Sequence, residues 1–152
     1  MALAAAPGME REVVPGVSSA LAAPALAGIP PTFRNLARSF AVVTGHACSE
    51  GELDWPKLAG VDTLVILMGV ANRARIAAAL IGAGRSPSEP VAFVENGTLP
   101  EERVIVTSLR ETAAGAVAVN SPAVMVVGEV VRLREDLAGV AETAVAMAEA
   151  PA

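Results

Sequence analysis

One histidine and one cysteine, His46 and Cys48, stand two residues apart in the chain. On a strand that spacing turns both side chains to the same side, where a thiol and an imidazole can serve as nucleophile and base. In a turn the same pair is a histidine bonded to main chain beside a half-buried thiol. A lone cysteine leaves no intramolecular disulfide and no cysteine-built metal site. The sequence holds no Walker phosphate loop, no G-x-G-x-x-G and no H-E-x-x-H. What it does hold is a set of small-residue turns: Pro15-Gly16-Val17-Ser18-Ser19, Met68-Gly69, Glu95-Asn96-Gly97-Thr98 and Ser121-Pro122-Ala123. Where such turns close the carboxyl ends of strands in an open α/β sheet, main-chain N–H and C=O groups come within reach of an adenine or a ribose.

Those turns need strands in front of them, and the apolar runs supply them. Phe40-Ala41-Val42-Val43-Thr44, ended by Gly45-His46, reads as a strand, as does the unbroken run Thr63 to Met68 stopped by Gly69. Both have the length and β-branched content of strands buried on two faces. Asn72 is placed to cap a helix through Ala83, with Ile76, Ala79, Leu80 and Ala83 on one stripe and Gly84 as its stop. The turn Glu95 to Thr98 is too short for a helix, so Val91–Val94 and the run Arg103 to Leu109 should be antiparallel neighbours. A short Ala-rich helix over Glu111–Val119, a strand over Val124–Val131 and a final helix over Leu133–Glu149, with Leu133, Leu137, Val140 and Ala144 on one face, complete the pattern. Upstream, Val13-Val14-Pro15-Gly16 ends a β-like run, and Ser18 or Ser19 can cap a helix to about Ala27. The expected architecture is an α/β domain: a mixed sheet of about five strands with helices packed on it.

A chain of 152 residues suits one core. Hydrophobic residues make up 53% and mean hydropathy is +0.53, which excludes disorder as the main state. With 3% aromatic residues and 32 alanines, the core must be Val, Leu, Ile and Ala. The net charge of −5 and pI near 4.9 argue against a nucleic-acid partner, because phosphate-backbone binding needs a clustered basic face. The first residues lack the basic region of a signal peptide. The uncharged stretch Thr112–Gly128 is interrupted by Asn120, Ser121 and Pro122, whereas a bilayer helix needs roughly 20 apolar residues. A cytoplasmic domain with no membrane partner is expected. Leu3–Ala6 reads as the tail of a helix with nothing in front of it, so either the domain is short at its front or something upstream is missing.

Seven segments, in order, resemble a known family. They are Glu12 to Ala20, Ala27 to Arg34, Val43-Thr44-Gly45-His46, Leu53-Asp54-Trp55, Leu67-Met68-Gly69, Val94-Glu95-Asn96-Gly97-Thr98, and Ser121-Pro122-Ala123 with Val127-Gly128-Glu129-Val130-Val131. Together they are similar to the C-terminal half of the uroporphyrinogen-III C-methyltransferases, within the tetrapyrrole methylases. The likeness runs over roughly residues 3 to 137. It implies methyl transfer from S-adenosyl-L-methionine to uroporphyrinogen III, giving precorrin-2 for siroheme and cobalamin. It also implies residues 1–16 as the remnant end of the N-terminal subdomain and 17–152 as the C-terminal subdomain.

Carried over position by position, the resemblance assigns cofactor contacts to Ser18, Ser19, Met68, Gly97 and Ala123, with Gly97 and Ala123 offering main chain. Met68 would also touch the substrate, although its place after an apolar run equally suits a core methionine. A carboxylate-rich tetrapyrrole calls for guanidinium forks, and Arg34, with Arg38 close by, is the candidate; a surface arginine is the other reading. Phe33, Asn35 and Leu36 depart from the family's pattern there, which puts substrate identity in question. The family's N-terminal half has no counterpart in the chain, so this polypeptide is expected to supply one wall of the cofactor cleft and little turnover alone. A homodimer is implied as well. The competing reading is a non-catalytic relative acting as a nucleoside-binding or dimerisation module. An apolar face left bare where the other half docks is expected in either case.

Overall fold

The computed structural model describes residues 12–46 and 53–137. Cys48, Leu3–Ala6 and the final helix beyond residue 137 lie outside the described residues. Five strands form one mixed sheet: β1 (Phe40–Thr44), β2 (Thr63–Leu67), β3 (Pro90–Glu95), β4 (Arg103–Ser108) and β5 (Ala123–Val127). Their order is β1-β2-β5-β3-β4. Only β1 and β2 run parallel; β5 is antiparallel to both β2 and β3, and β3 is antiparallel to β4. The expected β3–β4 pairing is therefore present. The last strand in the chain, however, is inserted between β2 and β3.

The unbroken apolar runs alternate between two cores. One set, Val65, Ala92, Val94, Val124 and Val126, packs against α1 (Ser19–Leu26) through Ala20 and Ala23, joined by Ile29 and Ala37. The other, Leu64, Ile66, Val91, Phe93, Met125 and Val127, packs against Ile76, Ala77 and Leu80 of α3 (Arg73–Gly82) and Leu109 of α4 (Leu109–Ala113). A strand covered on both faces has no solvent side to be polar, which is why these runs look continuous rather than alternating. A short helix α2 (Trp55–Leu58), capped by Asp54, precedes β2.

Several boundaries differ from the sequence pattern. Residues 12–18 form no strand, and Val13 and Val14 are exposed; β propensity makes no strand without a neighbour to pair with. Asn72 does not cap α3. Its carboxamide donates to the Gly45 carbonyl at 3.0 Å, tying the end of β1 to the turn before α3. The buried stripe of α3 uses Ala77 rather than Ala79. The helix expected through Val119 stops at Ala113, followed by Gly115 at φ +71°. The run expected to reach Val131 ends at Val127, because Gly128 at φ +145° breaks the extended backbone.

Candidate functional site

Strands β2 and β3 end, and the antiparallel β5 begins, at the same end of the sheet. A cavity of about 360 Å³ opens there. Its walls include Ser19 and Ala23 of α1, Met68 after β2, Asn96 and Gly97 after β3, and Ala123 at the start of β5. Four of the six residues singled out in the sequence, Ser19, Met68, Gly97 and Ala123, thus meet in one cavity although their positions span 105 residues. The other two do not line it. The Ser18 hydroxyl caps α1, accepting from the Ala20 N–H at 3.3 Å. Arg34 is exposed on the loop between α1 and β1, a loop closed by the Phe33–Ala37 bridge, and Arg38 follows it, also exposed.

Local sterics explain how the walls are placed. A Cβ on Gly97 would lie 2.7 Å from the Cβ of Ala23, so this glycine lets α1 settle against the β3–β4 turn. A Cβ on Gly45 would lie 2.5 Å from the Cα of Gly69. With the Gly45 N–H donating to the Leu67 carbonyl at 2.7 Å, the two glycines clamp the turn that presents Met68. Met68 holds φ +54° and is 65% exposed, so it is not a core methionine. Asn96 at φ +49° and Thr98 at φ +76° share that left-handed backbone. Such conformations are disfavoured for residues with a side chain and gather at functional sites.

At the end of β3, the buried Glu95 carboxylate pins three elements. It receives the Arg103 guanidinium as a fork, at 2.9 and 3.0 Å, and accepts from the Asn120 N–H. The Arg103 side chain holds this carboxyl below its ordinary range, and the Asn120 N–H adds to the effect. Asn96 then donates its N–H to the Pro122 carbonyl at 3.0 Å, linking the turn after β3 to the entry of β5.

A larger groove, about 460 Å³, lies at the opposite end of the sheet beside Leu36, Asp62, Arg85 and Glu89. Its charges are already engaged. Arg85 forks onto Glu89 and donates to the Val61 and Asp62 carbonyls, while the Asp62 carboxylate accepts from the Arg38 and Ser39 N–H groups and the Ser39 hydroxyl. Those bonds, the Arg38 N–H first, hold the Asp62 carboxyl below its usual range. By contrast, the strand-end cavity is apolar apart from Ser19 and Asn96, whose side chains have no hydrogen-bond partner among the described residues. An apolar pocket with a few convergent, unengaged polar groups is the usual form of a small-molecule site.

His46 is exposed; its N–H donates to the Thr44 hydroxyl at 3.3 Å, so it sits in a turn. Among the described residues no cluster of three His, Cys, Asp or Glu could hold a metal ion, and no helix is long and apolar enough to cross a membrane. Besides the apolar residues Ala23, Leu67, Val94, Leu99, Pro122 and Val124, the cavity is lined by one polar residue not expected from the sequence, Asn96, which stands in the turn Glu95-Asn96-Gly97-Thr98. Its signal was an asparagine directly before a glycine in a turn, which reads as turn chemistry alone.

The fold and cavity define an open α/β domain with a cavity at its strand ends, the place where such sheets hold nucleotide-type ligands. The family of tetrapyrrole (corrin/porphyrin) methylases matches residues 1–113, and the chain belongs to that family. It is 42% identical over 152 residues to the siroheme synthase of Photorhabdus laumondii, covering 99% of this chain and 32% of that protein. It is 46% identical over 126 residues to siroheme synthase 2 of Serratia proteamaculans, covering 82% of this chain and 27% of that one. The crystal structure of uroporphyrin-III C-methyltransferase from Thermus thermophilus complexed with S-adenosylhomocysteine superposes with a TM-score of 0.75 at 47% identity, over 83% of this chain and 54% of that one. The chain therefore spans about a third of the length of these curated relatives and about half of the solved one.

Proposed function

We propose that the chain supplies one wall of an S-adenosyl-L-methionine site in a cytoplasmic methyltransferase that converts uroporphyrinogen III to precorrin-2. The observation that carries this reading is the meeting of Ser19, Met68, Gly97 and Ala123 in one cavity at the strand ends. The donor set fits an adenosyl group: aliphatic walls for a flat base, and a hydroxyl and a carboxamide with free hydrogen-bonding capacity. Support also comes from the Thermus relative, which carries S-adenosylhomocysteine. When bound, the cofactor would supply an electrophilic methyl group on a sulfonium sulfur.

In this reading, residues 17–152 form the C-terminal subdomain and residues 1–16 the end of the N-terminal one. The family's other subdomain provides the opposing wall. Methyl transfer needs the nucleophilic carbon aligned at near-attack distance, which one wall cannot enforce. The role of this wall is to seat the nucleoside and shield one side of the methyl donor from water, with Met68 at the rim towards the substrate. Arg34 and Arg38, the candidates for pairing with substrate carboxylates, are exposed after α1, but the Arg38 N–H bonds Asp62 at the end of the sheet opposite the cavity, so their placement lends this role no support.

A second reading, a non-catalytic nucleoside-binding or dimerisation module, draws on a different observation. Phe40 and Val42 on the edge strand β1, with Phe33 and Leu36 before it, are 40–44% exposed, an apolar face suited to a second copy. Titration calorimetry of the 152-residue chain with S-adenosylhomocysteine separates the cofactor-binding reading from a dimerisation module. Micromolar binding is expected, and no heat up to millimolar ligand would overturn the cofactor assignment.

A further inference from the structure

We propose that the Asn96 carboxamide reads the hydrogen-bonding edge of the bound purine, making Asn96 the residue that sets base specificity in this cavity; the inference rests on the nucleoside reading above. The main chain of Asn96 is engaged on both sides. Its N–H donates to the Pro122 carbonyl at 3.0 Å, and its carbonyl accepts from the Leu99 N–H at 2.9 Å. The carboxamide, with two N–H donors and a carbonyl acceptor, bonds no group among the described residues although Asn96 lines the cavity and is half-buried. Among the described residues, Ser19 is the only other lining residue with a nitrogen or oxygen in its side chain.

Aliphatic walls hold a flat heterocycle by contact but leave its rotation in its own plane undefined. A group presenting a donor and an acceptor side by side fixes that rotation. Adenine offers the complement, an exocyclic amine that donates beside a ring nitrogen that accepts, and an asparagine carboxamide pairs with that edge in bidentate fashion. The alternative is that asparagine stands here only because it tolerates φ +49°. Glycine tolerates that conformation better, so Asn96→Gly separates the two: the turn survives and the carboxamide goes.

The probes are S-adenosylhomocysteine and its analogue with hydrogen in place of the exocyclic amine, titrated into the 152-residue chain by calorimetry. The wild type should prefer the adenosyl ligand by roughly five- to tenfold, the worth of one hydrogen bond in a partly dry site. Asn96→Gly should bind the two ligands equally, with a melting temperature at or above that of the wild type. Asn96→Asp, which also accepts this backbone and keeps an acceptor for the amine, should retain the preference and guards against a glycine variant that fails to fold. A preference that persists in Asn96→Gly, or vanishes in Asn96→Asp, overturns the inference and leaves the cofactor site standing. Failure of the wild type to bind either ligand overturns the cofactor assignment, and this inference with it.

Discussion

Where β1 and β2 begin, the sheet is locked. Arg85 and Glu89 form a buried pair, Arg85 also holds two carbonyls, Asp62 gathers three donors, and Gly128 takes a backbone conformation open only to glycine, with Asp62 so close that a Cβ would lie 2.6 Å from its carbonyl oxygen. Where β2 and β3 end, the style reverses. Met68, Asn96 and Thr98, none of them glycine, hold left-handed backbone, Met68 and Leu99 are more than half exposed, and the side chains of Ser19 and Asn96 have no hydrogen-bond partner among the described residues. The division is one of degree: at the first end the charged groups are engaged, although the buried Thr63 hydroxyl has no partner among the described residues and Asn35 nearby is also left-handed, whereas the second end leaves its polar side chains unengaged at a cavity. Such a division is expected when one end maintains the fold and the other waits for a ligand.

The comparison can be broken from either side. Arg85→Ala should have the largest effect, destabilising by about 3 kcal/mol because the buried guanidinium leaves a partly buried Glu89 and the Val61 and Asp62 carbonyls without their donor. Chemical denaturation would show it, and affinity for S-adenosylhomocysteine in the fraction still folded should not change. Gly97→Ala should cost about 1–3 kcal/mol through overpacking against Ala23, and it should abolish ligand binding as α1 is pushed away from the turn. Equal binding by this variant and the wild type would mean that the glycine serves packing alone.

A smaller effect is expected from acid. The folded pKa of Glu95 is depressed, chiefly by Arg103, so its stabilisation is present above the unfolded value of about 4.3 and is lost as pH falls through the folded value. Denaturation midpoints should drop on acidification below about pH 4.3, and Glu95→Gln should flatten part of that fall. Asp62 is depressed in the same direction, so Asp62→Asn should flatten another part, from the locked end of the sheet. Met68→Gly should be the mildest change to the fold. Relief of left-handed strain and the added freedom of glycine nearly cancel, leaving stability within about 1 kcal/mol of the wild type. Binding of S-adenosylhomocysteine should nonetheless weaken measurably by calorimetry, which would place Met68 on the ligand side of the division.

Much of the fold was legible before any coordinates. Apolar runs closed by glycine placed the five strands to within a few residues, and the short turn at Glu95–Thr98 announced the β3–β4 hairpin. Errors came where a local signal needed a distant partner. Val13 and Val14 have strand-forming side chains but no strand beside them. Asn72 looks like a cap, yet its amide reaches Gly45, 27 residues away. Gly45 and Gly97 read as turn residues, whereas each is required because another part of the chain passes too close for a Cβ. At the cavity, Met68, Gly97 and Ala123 were recognisable from their segments, while Asn96 is distinguished only by tertiary structure, which sets it at the cavity wall with a carboxamide that bonds no group among the described residues.

Local steric preference and hydrophobic period are properties of neighbouring residues, so the chain on its own determined which stretches extend, which coil, and where Ser18 and Gly84 stop or start an element. The cavity has no such local cause. It exists because β5, formed near the end of the described residues, enters antiparallel between β2 and β3 and carries Ala123 to the level where those two strands finish. That insertion is selected by the packing of two cores at once, a free-energy term spread over residues far apart in sequence, and only the tertiary structure expresses it.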